Sequence, residues 1–246
     1  MKIIVNGANG RMGKQVTEKA LSLGMLACAV DKNNEGEASY PIYSSLSDFT
    51  GEADVIIDFS HYLATRELIE YALRRSLPVV IATTGHTPVE LALIEEASKH
   101  IPIFHSANMS LGIALLIELA KTATAKMPGA DIEIIEKHHD RKLDAPSGTA
   151  LLIADGLREV RPELYNHAGR SGSGKRDPNE IGISAIRAGS IVGEHEVMIA
   201  TDSQTITLKH EAHDRGVFAD GAFSAAEFLI GRKNGLYTMK DVASEK

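Results

Sequence analysis

The chain has 246 residues, of which 43% are hydrophobic and 24% charged, with a mean hydropathy of −0.08. That composition excludes a disordered or fibrous chain, and the length allows one large domain or two modest ones. Asp and Glu outnumber Lys and Arg by 33 to 26, a net charge of −7, so no global basic face for nucleic acid is expected.

The chain opens on Met1-Lys2-Ile3-Ile4-Val5, which runs straight into turn glycines and reads as a strand rather than a signal peptide. Short runs rich in Val and Ile follow at 25–31, 55–60, 78–84 and 101–106, and with 2–6 they predict buried strands. Between them, 11–23, 63–75 and 88–100 carry helical spacing. Strand and helix in this alternation predict a parallel sheet with right-handed crossovers. Cys28, inside Leu26-Ala27-Cys28-Ala29-Val30, reads as core, and a lone cysteine fits a reducing cytoplasm.

The rhythm changes after residue 109. A mostly apolar helix over 110–126, interrupted by Glu118, is expected to pack on both sides; no run approaches the roughly 18 apolar residues of a membrane span. A strand at 130–136 and a helix at 151–159 follow. Strands at 183–187, 196–200 and 204–210, with polar–apolar alternation in the last, suggest an antiparallel sheet with one wet face. Residues 166–180 read as one long basic, glycine-rich loop, and 218–230 as the last clear helix.

Three groups of residues carry chemistry. The first is Gly7-Ala8-Asn9-Gly10-Arg11-Met12-Gly13, placed between a strand and a helix. Glycines there permit a tight turn, approach of a pyrophosphate to the backbone, and close helix–strand packing, although the spacing departs from Gly-x-Gly-x-x-Gly. Asp31 lies about 20 residues on, where a carboxylate meets ribose hydroxyls. Lys32 is either a partner for a 2′-phosphate, allowing NADPH beside NADH, or a solvated surface lysine. The second group is a pair of turns at strand ends, Ala82-Thr83-Thr84 and Ser106-Ala107-Asn108-Met109. Small residues and backbone groups there suit a nicotinamide, and equally suit ordinary loops.

The third is Glu136-Lys137-His138-His139-Asp140-Arg141-Lys142-Leu143-Asp144-Ala145-Pro146-Ser147-Gly148-Thr149-Ala150. An imidazole exchanges protons near neutrality, and Lys142 donates a proton or holds an anion. Ser147 is a natural N-cap, and the free amides of the helix that follows cradle a carboxylate or phosphate. Adjacent histidines lack the i, i+4 spacing of a helical metal pair, so no metal is expected. Either histidine also fits a structural role. His61, His86, His100 and His105 show no pairing and receive no role. These residues alone fit a reductase of an anionic substrate, another nicotinamide-dependent dehydrogenase, or a nucleotide sensor without turnover.

The turn at 5–13, Thr83-Thr84-Gly85, and above all His138-His139-x-x-Lys142-x-Asp144-Ala145-Pro146-Ser147-Gly148-Thr149-Ala150 resemble the 4-hydroxy-tetrahydrodipicolinate (dihydrodipicolinate) reductase family. The likeness continues through Arg187-Ala188-Gly189-x-Ile191-Val192-Gly193-Glu194-His195, and through His210-x-Ala212-x-x-Arg215 to Phe218-Ala219-x-Gly221-Ala222. It implies an α/β fold: a Rossmann-type parallel-sheet dinucleotide domain (1–109 and 219–246) and an α+β substrate and oligomerisation domain (110–218) with a mixed or antiparallel sheet. It implies NADH or NADPH as cofactor, a small dicarboxylate as substrate, and a cytoplasmic homotetramer acting in diaminopimelate and lysine biosynthesis, with no nucleic-acid or membrane partner. His138 becomes the proton donor and acceptor and Lys142 a proton donor, while His139, Lys142, Ser147, Gly148 and Thr149 contact substrate. The residues from Gly7 to Met12, Asp31, Lys32 and the two strand-end turns line the cofactor. Ala82 and Met109 depart from the family's usual glycine and phenylalanine on the nicotinamide side. The reading requires the imidazole–ammonium group and the nicotinamide to face one cleft.

Overall fold

The structure, a computed structural model, describes residues 1–33 and 40–245. Among the described residues the chain forms two compact units. One is Met1–Ser110 together with the chain from Gly216 onward, and the other is Leu111–Arg215. The expected divisions fell at 109/110 and 218/219.

The first unit begins with β1 (Ile3–Asn6), α1 (Arg11–Ser22), β2 (Leu26–Val30), β3 (Ile42–Tyr43) and β4 (Val55–Asp58). It continues with α2 (Thr65–Arg75), β5 (Val79–Ile81), α3 (Pro88–Ser98) and β6 (Pro102–His105). In the second unit follow α4 (Leu111–Lys126), β7 (Asp131–His138), α5 (Gly148–Arg158), β8 (Tyr165–Ala168), β9 (Glu180–Arg187), β10 (Gly193–Ala200) and β11 (Thr205–Ala212). The chain then returns to the first unit with α6 (Gly216–Leu229), β12 (Gly235–Tyr237) and α7 (Met239–Ser244).

The strands of the first unit form a parallel sheet in the order β12-β6-β5-β4-β1-β2-β3. The order reverses about β1, which opens a crevice at the carboxyl ends of β1 and β4. Alternation along the strands sends Ile4, Ile56, Val79 and Ile103 into a core with Leu68 and Ala72 of α2 and Ile94 of α3. Helices α1 and α6 contact each other and the sheet. Cys28 is 2% exposed, as a core residue should be. The short β3, β12 and α7 were not foreseen; segments of two to six residues carry too little pattern to stand out.

The second unit is a sheet in the order β11-β10-β7-β9-β8. Its β10 pairs are antiparallel, as alternation suggested for the last strands, and its β7–β9 and β8–β9 pairs are parallel, so the sheet is mixed, one of the two forms expected. Ile132, Ile134, Ile183, Val197 and Ile199 make one face, packed with Ile113 and Leu116 of α4 and Ile153 and Leu157 of α5. Two further expectations are corrected. Leu115 and Leu119 of α4 are 44% and 56% exposed, so α4 does not bury both sides within this chain. The supposed loop at 166–180 begins inside β8, which pairs Tyr165 with Glu180 and Ala168 with Ile183. It ends on β9, and Arg176 ties it down through the carbonyls of Ile132 and Glu180, 2.8 and 2.7 Å away.

Candidate active site

In the second unit, buried charge collects at the carboxyl end of β7. From Ile132 the strand alternates, so Ile132, Ile134, Glu136 and His138 share the buried face. The first two belong to the core, whereas Glu136 is 0% exposed and His138 8%. A buried carboxylate must be fully hydrogen-bonded, and this one is. Arg187 donates to it through both terminal nitrogens, at 2.7 Å to Oε1 and 2.8 Å to Oε2. The Ser147 N–H donates to Oε1 at 2.9 Å, and His138 Nδ1 lies 2.6 Å from Oε2. Burial alone would raise the Glu136 carboxyl, but bonds from Arg187, His138 and Ser147 hold it below the usual range. An ionised carboxylate only accepts, so Nδ1 carries the hydrogen and Nε2 is left to exchange a proton. Burial pulls the His138 imidazole below its ordinary value, against the upward pull of Glu136.

Register brings the partners together. Parallel β7–β9 pairing sets Arg187 opposite His138, and antiparallel β7–β10 pairing sets His195 opposite Glu136. The His195 ring is edge-on to His138 with centroids 5.1 Å apart, and its Nε2 is 3.2 Å from Ser147 Oγ. That oxygen accepts from the Ala150 N–H at 3.2 Å, the expected N-cap, and shares a second hydrogen bond with His195. Burial, helped by His138, pulls the His195 imidazole down to about 4.

Acid stability follows from that value. Between pH 6.5 and about 4 the unfolded chain takes up a proton at residue 195 that the folded chain refuses. The folded state therefore loses stability as pH falls through this window, by about 3 kcal/mol from this group. Denaturant unfolding at a series of pH values should show a shallower acid slope in His195→Asn than in the wild type; equal slopes contradict the assignment.

Lys142 places its ammonium 2.9 Å from the Asp144 carboxylate. That bond, with a further one from the Gly148 N–H, holds Asp144 below the usual carboxylate range. His139 is half-buried and its Nδ1 has no hydrogen-bond partner. Gly148 has nothing within 4 Å of where a Cβ would stand, and Thr149 is half-buried beside it in the first turn of α5. Hydrogen bonds thus join His138, Glu136 and Ser147, and join Lys142, Asp144 and Gly148, at the start of one helix. A proton-exchanging imidazole, an ammonium and helix-start amides suit an anion that takes up a proton.

In the first unit, Gly7, Asn9, Gly10, Asp31 and Lys32 line a cavity of about 980 Å³, within the size range of ligand pockets. Gly7 has φ +79°, and a Cβ there would lie 2.6 Å from the Ser60 nitrogen, so only glycine fits the turn. Helix α1 starts at Gly10 with no capping side chain and no acidic residue in its first turn, which leaves the amides from Arg11 and Met12 onward to an anion. Asp31 accepts from the Asn9 N–H at 2.8 Å and the Asn33 N–H at 2.9 Å. This bare turn, uncapped helix start and held carboxylate fit a dinucleotide's pyrophosphate and ribose. Lys32 is a solvated lysine, its side chain 75% exposed, with Nζ 3.6 Å from Glu67.

The remaining predicted residues are placed as follows. Ala8 is buried under the turn at 0% exposure. Ala82 and Thr83 are buried at the end of β5 and Thr84 is exposed. After β6, Ser106 Oγ donates to the Asn108 carbonyl at 2.7 Å, Ala107 is exposed, and Met109 is 3% exposed. Neither strand-end turn lines the 980 Å³ cavity.

Sequence reasoning gave no role to Glu136, Arg187 or His195, nor to a second buried carboxylate, Asp58. Its Oδ1 accepts from Asn6 Nδ2 at 2.7 Å and Ser60 Oγ at 2.6 Å, and its Oδ2 from Thr83 Oγ1 at 2.6 Å. Burial pushes the Asp58 carboxyl up against those bonds. Asp58 thereby ties the ends of β1 and β4 to the turn after β5. His86 and His105 also meet, edge-on at 5.1 Å.

Comparison with known proteins divides the chain near the first boundary between the units, but the second match runs on past residue 215 into the closing part of the first unit. Residues 1–109 match the family model described as dihydrodipicolinate reductase, N-terminus, and residues 112–243 the model described as its C-terminus. A protein of Caldanaerobacter subterraneus subsp. tengcongensis named 4-hydroxy-tetrahydrodipicolinate reductase is 50% identical over 100% of this chain and 99% of its own. One of the same name from Clostridium novyi is 45% identical with the same coverage. Among solved structures, a dipicolinate-bound dihydrodipicolinate reductase from Paenisporosarcina sp. TG-14 superposes with a TM-score of 0.82 at 26% identity, covering 98% of each chain. An amine dehydrogenase from Mycobacterium smegmatis shares the fold at a TM-score of 0.66 and 9% identity.

Proposed function

This chain belongs to the dihydrodipicolinate reductase family, and on that premise we propose that it reduces 4-hydroxy-tetrahydrodipicolinate to tetrahydrodipicolinate with loss of water, in diaminopimelate and lysine biosynthesis. NADH or NADPH, when bound, supplies the hydride. The turn from Gly7 to Met12 and α1 hold its pyrophosphate, Asp31 its adenosine ribose, and the turns at 82–84 and 106–109 its nicotinamide side.

The second unit orients and protonates. The amides of Gly148 and Thr149, with Ser147 and His139, hold the substrate carboxylates. His138 gives and takes a proton at Nε2, and Lys142 donates one from Nζ. An acidic protein can bind a dianion in this way because charges farther than about 8 Å are screened while contacts at the site are not. The dipicolinate carried by the Paenisporosarcina relative is a dicarboxylate of the same class. We place the enzyme in the cytoplasm as a homotetramer, assembled through the second unit.

The observation that carries this reading is one carboxylate, Glu136, bonded at once to the His138 imidazole and to the Ser147 amide at the start of α5. It fixes the proton carrier and the anion cradle to each other. The test is the fall in nicotinamide absorbance on adding substrate, beside a panel of amino acids and sugars. Lys142→Ala is expected to lower kcat/KM at least about tenfold, through both kcat and KM. Turnover at the wild-type rate removes Lys142 from the mechanism. Activity only on the panel makes the chain another dehydrogenase, and nucleotide binding without turnover makes it a sensor.

A further inference from the structure

Resting on the dinucleotide reading of the first unit, we propose that Glu67 sets the cofactor preference, favouring NADH over NADPH by holding Lys32 away from a 2′-phosphate. Asp31 is fixed by the amides of Asn9 and Asn33, as an acceptor for ribose hydroxyls must be. A 2′-phosphate brings a charge of about −1.5 to −2 to that place and needs a cation to meet it. Lys32 follows Asp31 directly, but its Nζ is 3.6 Å from Glu67 Oε2.

Glu67 is itself held. Its Oε1 accepts from Ser45 Oγ at 2.9 Å, so residues from just after β3 and from the first turn of α2 converge on the ammonium. Asp31, Lys32, Ser45 and Glu67 all line the same cavity. Among the described residues, Lys14 and Lys32 are opposed there by Glu18, Asp31 and Glu67, which leaves that part of the lining net negative. A neutral ribose diol accepts such a wall, whereas a phosphate must displace Glu67 from Lys32 and then stand beside its carboxylate. The discrimination comes from what repels the wrong ligand as much as from what grips the right one.

The test measures dissociation constants of NADH and NADPH for the full-length protein by nucleotide fluorescence, without substrate. The wild type is expected to bind NADH more tightly. Glu67→Gln keeps an acceptor for Ser45, and should tighten NADPH about fivefold, the reach of a solvent-exposed charge contact, with NADH unchanged. The gain should vanish in a Lys32→Ala background and shrink at high salt. A wild-type preference for NADPH, a Glu67→Gln effect on both nucleotides alike, or a gain that survives Lys32→Ala overturns the proposal. Failure of the wild type to bind either nucleotide instead overturns the dinucleotide reading beneath it.

Discussion

His138→Gln is expected to lower kcat by about 100- to 10,000-fold, the usual contribution of a placed acid–base group, while NADH affinity stays at the wild-type value. Glutamine fills part of the imidazole's volume but has no proton to exchange near neutrality. The loss should therefore fall on kcat rather than on nucleotide binding, since the residues proposed to hold nucleotide belong to the first unit. The pH profile supplies a second reading. If His138 donates the proton, kcat/KM falls as pH rises through its pKa, and that limb disappears in the variant. Glu136→Gln gives the complementary shift. The Glu136 carboxylate raises the His138 imidazole against burial, and without it the pKa drops and the limb moves to lower pH. A wild-type kcat in His138→Gln, or a limb that stays in place in Glu136→Gln, would remove the proton-transfer role.

Gly13→Ala should cost more than about 100-fold in nucleotide affinity and about 1–3 kcal/mol in stability. An added Cβ would stand 1.9 Å from the Gly7 carbonyl oxygen, 2.7 Å from its carbon and 2.9 Å from Ala8 Cα. All three are backbone, so no side chain can swing aside. Helix α1 must draw back from the turn that follows β1, and its amides leave the positions proposed to meet a pyrophosphate. Isothermal titration with NADH and thermal unfolding measure the two effects. Wild-type affinity in the variant would mean that the α1 start does not hold the nucleotide.

What was legible in the sequence was local. The Gly7 turn shows because its glycines are required by the backbone within a few residues of themselves. The Ser147 cap shows because its partner, Ala150, is three positions away. The long-range partners do not show. Arg187 and Glu136 are separated by 51 residues and meet only because β7 and β9 run parallel in one register. Asn6 and Asp58 are separated by 52 and meet through β1–β4 pairing. Before that pairing is known, Glu136 is one acid among many, and Lys32 has no visible competitor. Which strand pairs of the second sheet run parallel was hidden for the same reason, because alternation reports which face is wet and not which way a neighbour runs. Strand β8 was lost in a polar, glycine-rich stretch because its stability comes from backbone pairing along the edge of β9 rather than from apolar side chains.

The second unit is inserted into the first rather than appended to it. Helix α6 supplies Ala222, Ala225, Ala226 and Leu229 to the first unit, each 0% exposed, and β12 pairs with β6 at the sheet's margin. During synthesis, residues 111–215 emerge in one piece and can fold while the earlier unit still waits for its closing helix. A chain stopped at residue 215 would keep its glycine turn intact in sequence yet leave the sheet face that receives α6 bare, a sticky surface of the kind chaperones hold.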